Sequence, residues 1–273
     1  MEHPTQQALE PATSAPPSRE LEGLYVYCIG PLVEGGSLGA IGIEGREVLA
    51  IECNRFTAAV HSCDAHPYES RDAEVVASWV MAHHRVVNAA WSRYGTVLPL
   101  TFNTIIKAQP GGDARANLAE WLESERETLN AKLEALAGRA EYALQLFWEP
   151  RLVMKQMARS DPELMRLQEE SRAKPRGAAY MHRQRLESLL KRKTEAAVEA
   201  ECRALHGRLS RWVDDVRIER PRGESGQSQM LMNLSCLVPA SQVHDLEAEL
   251  SSVCEREGFS ARLVGPLPPY SFC

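Results

Sequence analysis

The order of strands and helices in the second half of the chain is the feature that most constrains its fold. From Glu141 onward, β-rich runs alternate with amphipathic helical stretches in the order β-α-β-β-α-β. The predicted strands are Glu141 to Trp148, Val213 to Glu219, Met230 to Val238 and Phe259 to Val264, and the predicted helices are one that follows Gly177 and one from Ser241 to Glu257. This is the split βαβ arrangement, four antiparallel strands with two helices on one face. The sequence therefore predicts a ferredoxin-like domain over residues 138–273.

Two connecting segments complete this half of the chain. Pro221 to Gln227 is rich in Pro, Gly and Ser and predicts a turn region. The segment at about 150–176 is too long for a plain loop in a compact domain. Ser160 and Glu163 have the spacing of a capping box, with Pro162 near the first turn, so we predict a helical insertion there. The core face of the long helix that follows is predicted to hold Leu186, Leu190, Ala197, Leu205, Leu209 and Trp212.

The first half of the chain predicts a separate α+β domain over residues 23–137. The predicted strands are Leu24 to Ile29, Val48 to Ile51, Phe56 to His61 and an extended stretch from Val97 to Ile106. One helix is predicted from an N-cap at Asp72 to Gly95, and a second from about Asp113 to Ala137. Residues 1–22 are rich in proline and polar residues and predict a disordered tail.

Charge, hydropathy and cysteine usage restrict which partners the chain is expected to bind and which cellular compartment it is expected to occupy. A net charge of −6 gives no electrostatic reason to bind phosphate backbones, so nucleic acid is not an expected partner. No apolar run approaches the roughly 18 to 20 residues that cross a bilayer, and no signal peptide is evident, so no membrane partner is expected. The seven cysteines have irregular spacings and no CxxC, which favours reduced thiols in a cytoplasmic protein.

Two motifs in the first half of the chain have residue types that could bind a ligand. Gly35, Gly36 and Gly39 follow a strand, but their spacing is not that of a nucleotide fingerprint and no helix-forming run follows, so a flexible loop is the better interpretation. His61, Cys63 and His66 form H-x-C-x-x-H, which could hold zinc with Cys53 or Asp64 as a fourth ligand. The competing interpretation, a strand end with a buried cysteine and two surface histidines, is favoured because zinc spacings are usually more regular.

Two charged or titratable groups on helices also need an interpretation. His83 and His84 are adjacent, and adjacent helical residues point about 100° apart, so a solvated or partly packed pair is favoured over a shared site. The basic run on the long helix is interleaved with glutamates, which favours a solvated, ion-paired face over a surface for an acidic partner or RNA. Its members are Arg183, Arg185, Lys191, Arg192 and Lys193. No catalytic motif is present, so we expect no enzyme activity, no catalytic residues, no metal and no cofactor.

Three stretches of the chain resemble a known family. They are Leu24-Tyr-Val-Tyr-Cys-Ile29, then His84-Arg-Val-Val-Asn-Ala followed by Val97-Leu-Pro-Leu-Thr-Phe-Asn-Thr-Ile105, and finally Leu263-Val-Gly-Pro-Leu-Pro-Pro-Tyr-Ser-Phe-Cys273. In this order and at these distances they resemble the gas vesicle GvpF/GvpL family over residues 23–273. The sequence departs from the family pattern at Thr101, where an arginine is usual, at Asn103, where a glycine is usual, and at Leu267, where a tryptophan is usual.

The resemblance implies a two-domain α+β protein whose carboxyl-terminal domain has a modified ferredoxin fold. It also implies a non-catalytic role in gas vesicle assembly, with the small hydrophobic shell protein and other accessory proteins of the same cluster as partners, and a location in the cytoplasm and gas vesicle. The alternative is a ferredoxin-like regulatory protein that binds a small ligand. Residues predicted to bind the partner are Pro268, Pro269, Tyr270 and Phe272, because prolines hold a segment extended and the two rings offer apolar area. Equally, the two rings could pack back between the domains.

Overall fold

The computed structural model describes residues 22–109, 112–172, 176–220 and 227–273. The predicted disordered tail lies outside these ranges except for Glu22, and the predicted turn region lies outside them except for Gln227. The described residues mix helices with strands that form two antiparallel sheets, as the sequence predicts. Across these ranges, no helix combines the length and the apolar character that crossing a membrane requires.

The first half of the chain builds a six-stranded sheet. Its strands are β1 (Glu22–Pro31), β2 (Gly36–Gly39), β3 (Val48–Cys53), β4 (Phe56–Asp64), β5 (Leu98–Pro99) and β6 (Ile105–Lys107). The order is β2-β3-β4-β1-β5, and β6 also pairs with β1. The central strand β1 is covered on both faces, which explains why Leu24 to Ile29 reads as one apolar run and does not alternate with polar residues.

Helices cover both faces of this sheet. They are α1 (Ala73–Tyr94), α2 (Ala114–Ser124) and α3 (Arg126–Leu136). The carboxylate of Asp72 accepts the Glu74 N–H and starts α1, and Gly95, at φ +76°, ends it. α1 packs against the face that carries Tyr25 and Tyr27, whereas α2 and α3 pack against the opposite face. The sheet is therefore the middle layer of three.

The second half of the chain builds a four-stranded sheet. Its elements are β7 (Arg139–Trp148), α4 (Pro150–Ser160), α5 (Pro162–Arg172), α6 (Arg176–Leu209), β8 (Asp215–Ile218), β9 (Gln229–Pro239), α7 (Val243–Cys254) and β10 (Phe259–Leu267). The strand order is β10-β7-β9-β8. α6 and α7 pack on one face, where Leu205, Leu209 and Leu246 meet Tyr142 and Leu144. The carboxyl-terminal residues of the chain pack against the other face of this sheet.

The segment between β7 and α6 holds two helices, and its predicted cap is off by one residue. Oδ1 of Asp161 accepts the N–H groups of Glu163 and Leu164 at 3.0 Å, whereas the Ser160 hydroxyl donates to a carbonyl of the preceding turn. Lys193 on α6 bonds Asp161 at 2.8 Å and Glu163 at 2.7 Å. The Asp161 carboxylate suits the cap because it accepts these two N–H groups and also pairs with a cation on the neighbouring helix.

Three predicted elements need correction. The helix predicted from 113 to 137 is two helices that meet at Glu125, where the hydroxyl of the neighbouring Ser124 also donates to the Trp121 carbonyl. The extended stretch from 97 to 106 is two short strands, β5 and β6, with a loop between them. On α6, Val198 is buried and Ala197 is exposed, because a stripe at spacings of four passes through 194 and 198. Trp212, predicted on the same face, lies beyond the end of α6 at Leu209.

Candidate functional site

The carboxyl-terminal tail, residues 268–273, is anchored on a buried carboxylate of the second sheet. Along β7, Tyr142, Leu144 and Leu146 face α6 and α7, so Glu141 points to the opposite face. Glu141 is only 7% exposed, and its carboxylate accepts the Ser271 backbone N–H and the Ser271 hydroxyl, each at 2.7 Å. A buried carboxylate needs such donors to offset the loss of hydration. These two hydrogen bonds therefore hold the tail in a defined position on the second sheet.

The four predicted partner-binding residues all pack onto the protein itself. Pro268 and Pro269 are buried, and Tyr270 and Phe272 are half-buried. The Tyr270 hydroxyl lies 2.8 Å from Nδ1 of His84 on α1. The Phe272 ring packs against the core between the sheets and lies 5.8 Å from the guanidinium of Arg217. This agrees with the interpretation that the rings pack back, and partner binding through them stays a prediction.

The end of the strand that leads into the tail requires glycine at position 265. An ideal Cβ on Gly265 would lie 2.4 Å from the ring of Tyr142, so any side chain at this position would collide with the strand beneath it. The preceding strand β10 pairs with β7, and Leu267 lies opposite Glu141 in that pairing. The position where the family usually has tryptophan thus holds a half-buried leucine directly beside the tail anchor.

A cavity of about 570 Å³ opens beside the tail. It lies between α1, the segment 98–102, the α2–α3 junction and the tail. Apolar walls come from Val80, Leu100, Phe102, Trp121 and Leu129. Polar groups at its wall or mouth are His83, His84, Thr101, Thr128, Glu125 and Lys132. Size, apolar lining and a few convergent polar groups are typical of ligand-binding cavities.

The two adjacent histidines of α1 both contribute to this cavity, so the preference for a solvated or partly packed pair is wrong for His83. His83 is 3% exposed and its Nδ1 lies 2.9 Å from the Tyr25 hydroxyl, whereas His84 faces Tyr270. Burial lowers the pKa of His83 to about 4, with the nearby His84 adding to the shift. The cavity wall spans more than one face of α1, so residues 100° apart can share it.

Two positions that depart from the family pattern lie in the loop beside this cavity. Thr101 is exposed and lines the cavity. Asn103 has φ +69°, a conformation that favours glycine and that asparagine tolerates better than most residues. Its side chain accepts the Tyr68 N–H at 2.9 Å and donates to the Tyr68 carbonyl at 3.1 Å. Asparagine therefore fits a backbone conformation that favours glycine, and its side chain forms two hydrogen bonds with Tyr68.

The H-x-C-x-x-H residues do not form a metal site. Both ring nitrogens of His61 are engaged, with the Tyr27 hydroxyl at 2.7 Å and the Tyr68 hydroxyl at 3.0 Å. Burial lowers the pKa of His61 to about 4 and raises that of the Cys63 thiol to about 11, which disfavours a thiolate ligand. His66 is exposed. Over the described ranges, no three His, Cys, Asp or Glu side chains are grouped as metal ligands would be.

The remaining sequence motifs have structural roles. Gly36 to Gly39 is strand β2, paired with β3, and is not the flexible loop that was predicted. In the basic run of α6, Lys193 bonds the start of α5 and Lys191 pairs with Glu195 at 3.9 Å. Cys273 is exposed, and its Sγ donates to the Pro269 carbonyl. Sequence reasoning missed Glu141, for which the signal was a single acidic residue within a predicted β-strand.

Comparison with known proteins gives matches over most of the chain. Residues 23–273 match the family model described as "Gas vesicle synthesis protein GvpL/GvpF". The chain is 28% identical to gas vesicle protein L1 of Halobacterium salinarum over 263 residues, which cover 92% of this chain and 90% of the relative. It is 30% identical to gas vesicle protein L of Haloferax mediterranei over 242 residues, which cover 85% of this chain and 72% of the relative.

Two crystal structures have a similar fold. GvpF from Anabaena superposes with a TM-score of 0.68 at 20% identity, and GvpF from Microcystis aeruginosa with a TM-score of 0.59 at 18% identity. Each superposition covers 92% of this chain and 98% of the other. At such identities the likeness concerns the fold.

Proposed function

The chain belongs to the gas vesicle GvpL/GvpF family, and from this we propose that it is an accessory or minor structural protein that binds the hydrophobic shell protein and other accessory proteins during gas vesicle assembly. It acts by binding and not by catalysis, in the cytoplasm and at the gas vesicle. Membership in the family supports a gas vesicle role, and the direct partners are the part that needs an experiment.

The proposed organisation has two domains, 23–137 and 138–273, the second with a modified ferredoxin-like fold. Support comes from the strand order β10-β7-β9-β8 and from α6 and α7 on one face of that sheet. An open sheet of this kind has two edges where backbone N–H and C=O groups are available to another chain.

The observation that carries the binding proposal is the edge strand β8. Within the described ranges, β8 pairs only with β9, so its other side is open. Ile218 at its end is 79% exposed, the most exposed of the large apolar side chains that the structure describes. An open edge with an exposed β-branched residue favours the addition of an apolar strand. A shell protein that is aggregation-prone before assembly would be protected by such pairing.

The test is co-expression of the tagged chain with its neighbouring major shell protein, followed by pull-down and size-exclusion chromatography. We expect the shell protein to become soluble and to co-elute. Ile218→Lys should reduce its capture several-fold, because an edge lysine resists strand pairing. Leu32→Lys is the matched control, since Leu32 is 52% exposed and lies outside both sheets.

The outcomes separate the parts of the proposal. Capture that is unaffected by Ile218→Lys would remove β8 as the binding edge. A shell protein that stays insoluble beside the wild-type chain would remove direct binding, and another accessory protein would then be the next partner to examine. A screen for hydrolase activity and bound metal tests the non-catalytic part, and activity that survives purification would contradict it.

A further inference from the structure

The wall of the cavity beside the tail holds a buried ring nitrogen without a hydrogen-bond partner among the described residues. This atom is Nε2 of His83, whose ring is only 3% exposed. The Leu100 carbonyl is close enough to favour a proton on this ring, but it makes no well-aligned hydrogen bond with Nε2. Buried polar groups are almost always paired, so an orphan of this kind calls for an explanation.

The neighbours of His83 determine which of its nitrogens carries the proton. The Tyr25 oxygen accepts the Asn103 N–H at 3.1 Å and lies 2.9 Å from Nδ1 of His83. If the phenol hydrogen is donated to Nδ1, only the Nε2–H is unsatisfied. If instead Nδ1 carried the hydrogen, both the phenol hydrogen and the Nε2 lone pair would be unsatisfied. The first tautomer leaves fewer buried groups unpaired, so we assign the hydrogen to Nε2.

The environment also restricts what could accept this hydrogen. The imidazole is neutral because its burial disfavours the charged form. The cavity lining includes the apolar side chains of Leu100, Phe102 and Leu129, whereas its charged members Glu125 and Lys132 are exposed and carry opposite charges. An ion beside His83 would lose hydration and gain one neutral donor, which is unfavourable. A neutral, mainly apolar molecule with one oxygen acceptor avoids this loss of hydration and can still accept the Nε2–H.

We propose that this cavity is a binding site for a small, mainly apolar molecule with a carbonyl or hydroxyl oxygen, which accepts the Nε2–H of His83. The volume of about 570 Å³ lies within the usual range for such sites. Because α1, the segment 98–102, the α2–α3 junction and the tail all line the cavity, the ligand would join elements of both halves of the chain. The site is separate from edge strand β8 and does not depend on shell-protein binding.

The test uses two probes of nearly equal size and shape, acetophenone and ethylbenzene, which differ in the carbonyl. Binding to the full chain is followed by ligand-observed NMR and by the ¹⁵N signals of histidine. We expect acetophenone to bind about fivefold more tightly than ethylbenzene, the effect of one additional hydrogen bond. Only acetophenone should shift the protonated Nε2 signal of His83.

Variants locate the site without disturbing the buried histidine. Thr101→Trp fills the cavity from an exposed position and should abolish binding of both probes. Ser92→Trp, at an exposed position of α1 that does not line the cavity, should leave both affinities unchanged. The proposal is overturned if neither probe binds at saturation, if both bind equally well, or if Thr101→Trp binds them as the wild-type chain does.

Discussion

The backbone N–H and the hydroxyl of Ser271 both donate to the carboxylate of Glu141, although the two residues are 130 positions apart in the chain. This pair joins the end of the chain to the second strand from the edge of the second sheet. The same tail reaches the first half of the chain through Tyr270 and His84. The tail is thus a structural connection between the two sheets as well as the predicted site of partner binding.

Removal of the tail anchor should destabilise the protein. Glu141→Ala leaves the Ser271 donors without their acceptor and should lower the free energy of unfolding by roughly 1–3 kcal/mol. Glu141→Gln keeps one acceptor oxygen and should cost less. Urea unfolding followed by circular dichroism measures both, with Glu134→Ala at an exposed position of α3 as the control. Equal stabilities for Glu141→Ala and the control would contradict the role of the anchor.

Asn103 offers a test of backbone conformation against side-chain bonding. Asn103→Gly loses two bonds to Tyr68 but suits the positive φ, whereas Asn103→Ala loses the same bonds and keeps the strain. We expect the alanine variant to be less stable than the glycine variant by about 1 kcal/mol, the cost of this region for an ordinary residue. Thermal unfolding compares the two. A glycine variant that is no more stable than the alanine variant would rule out backbone strain as the reason for asparagine.

The two buried histidines should make stability depend on pH. Burial lowers the pKa of both His61 and His83 from 6.5 to about 4. The unfolded chain therefore takes up protons first, so stability is complete above about pH 6.5 and falls as the pH drops toward 4, by up to about 3 kcal/mol for each histidine. Unfolding by urea between pH 4 and 7 measures this slope.

A variant isolates the contribution of one histidine to that slope. His61→Gln should have a shallower decline than the wild-type chain, because one titrating group is gone. Carboxylates that titrate in the same range are common to both proteins. Parallel curves for His61→Gln and the wild-type chain would show that this histidine takes up its proton equally in both states.

The tail aromatics test the predicted partner-binding residues. We expect Tyr270→Ala with Phe272→Ala to weaken capture of the shell protein in the co-expression assay. Tyr270→Phe, which removes only the hydroxyl that faces His84, separates loss of that bond from loss of apolar area. If the double variant folds and captures the shell protein as well as the wild-type chain does, the tail serves packing alone.

Much of the secondary structure follows from local patterns. The Asp72 cap, the Gly95 stop and the alternation in β7 are each encoded within a few neighbouring residues, and the structure has each element where the sequence predicts it. The break at Glu125 was not predicted, because the apolar periodicity continues through it. The cap at Asp161 was predicted one residue too early, because the contact with a lysine on another helix is not part of the local pattern.

The sequence by itself determined the mixture of helices and antiparallel strands and the family, because apolar periodicity and motif order are local properties that survive without knowledge of contacts. Only the tertiary structure decided the site. The pairing of Glu141 with Ser271, the shared wall of His83 and His84, and the positive φ of Asn103 depend on burial and on partners distant in the chain. Hydrogen bonds and desolvation act between whatever groups the fold brings within about 3 Å, and that set is not written in any one stretch of residues.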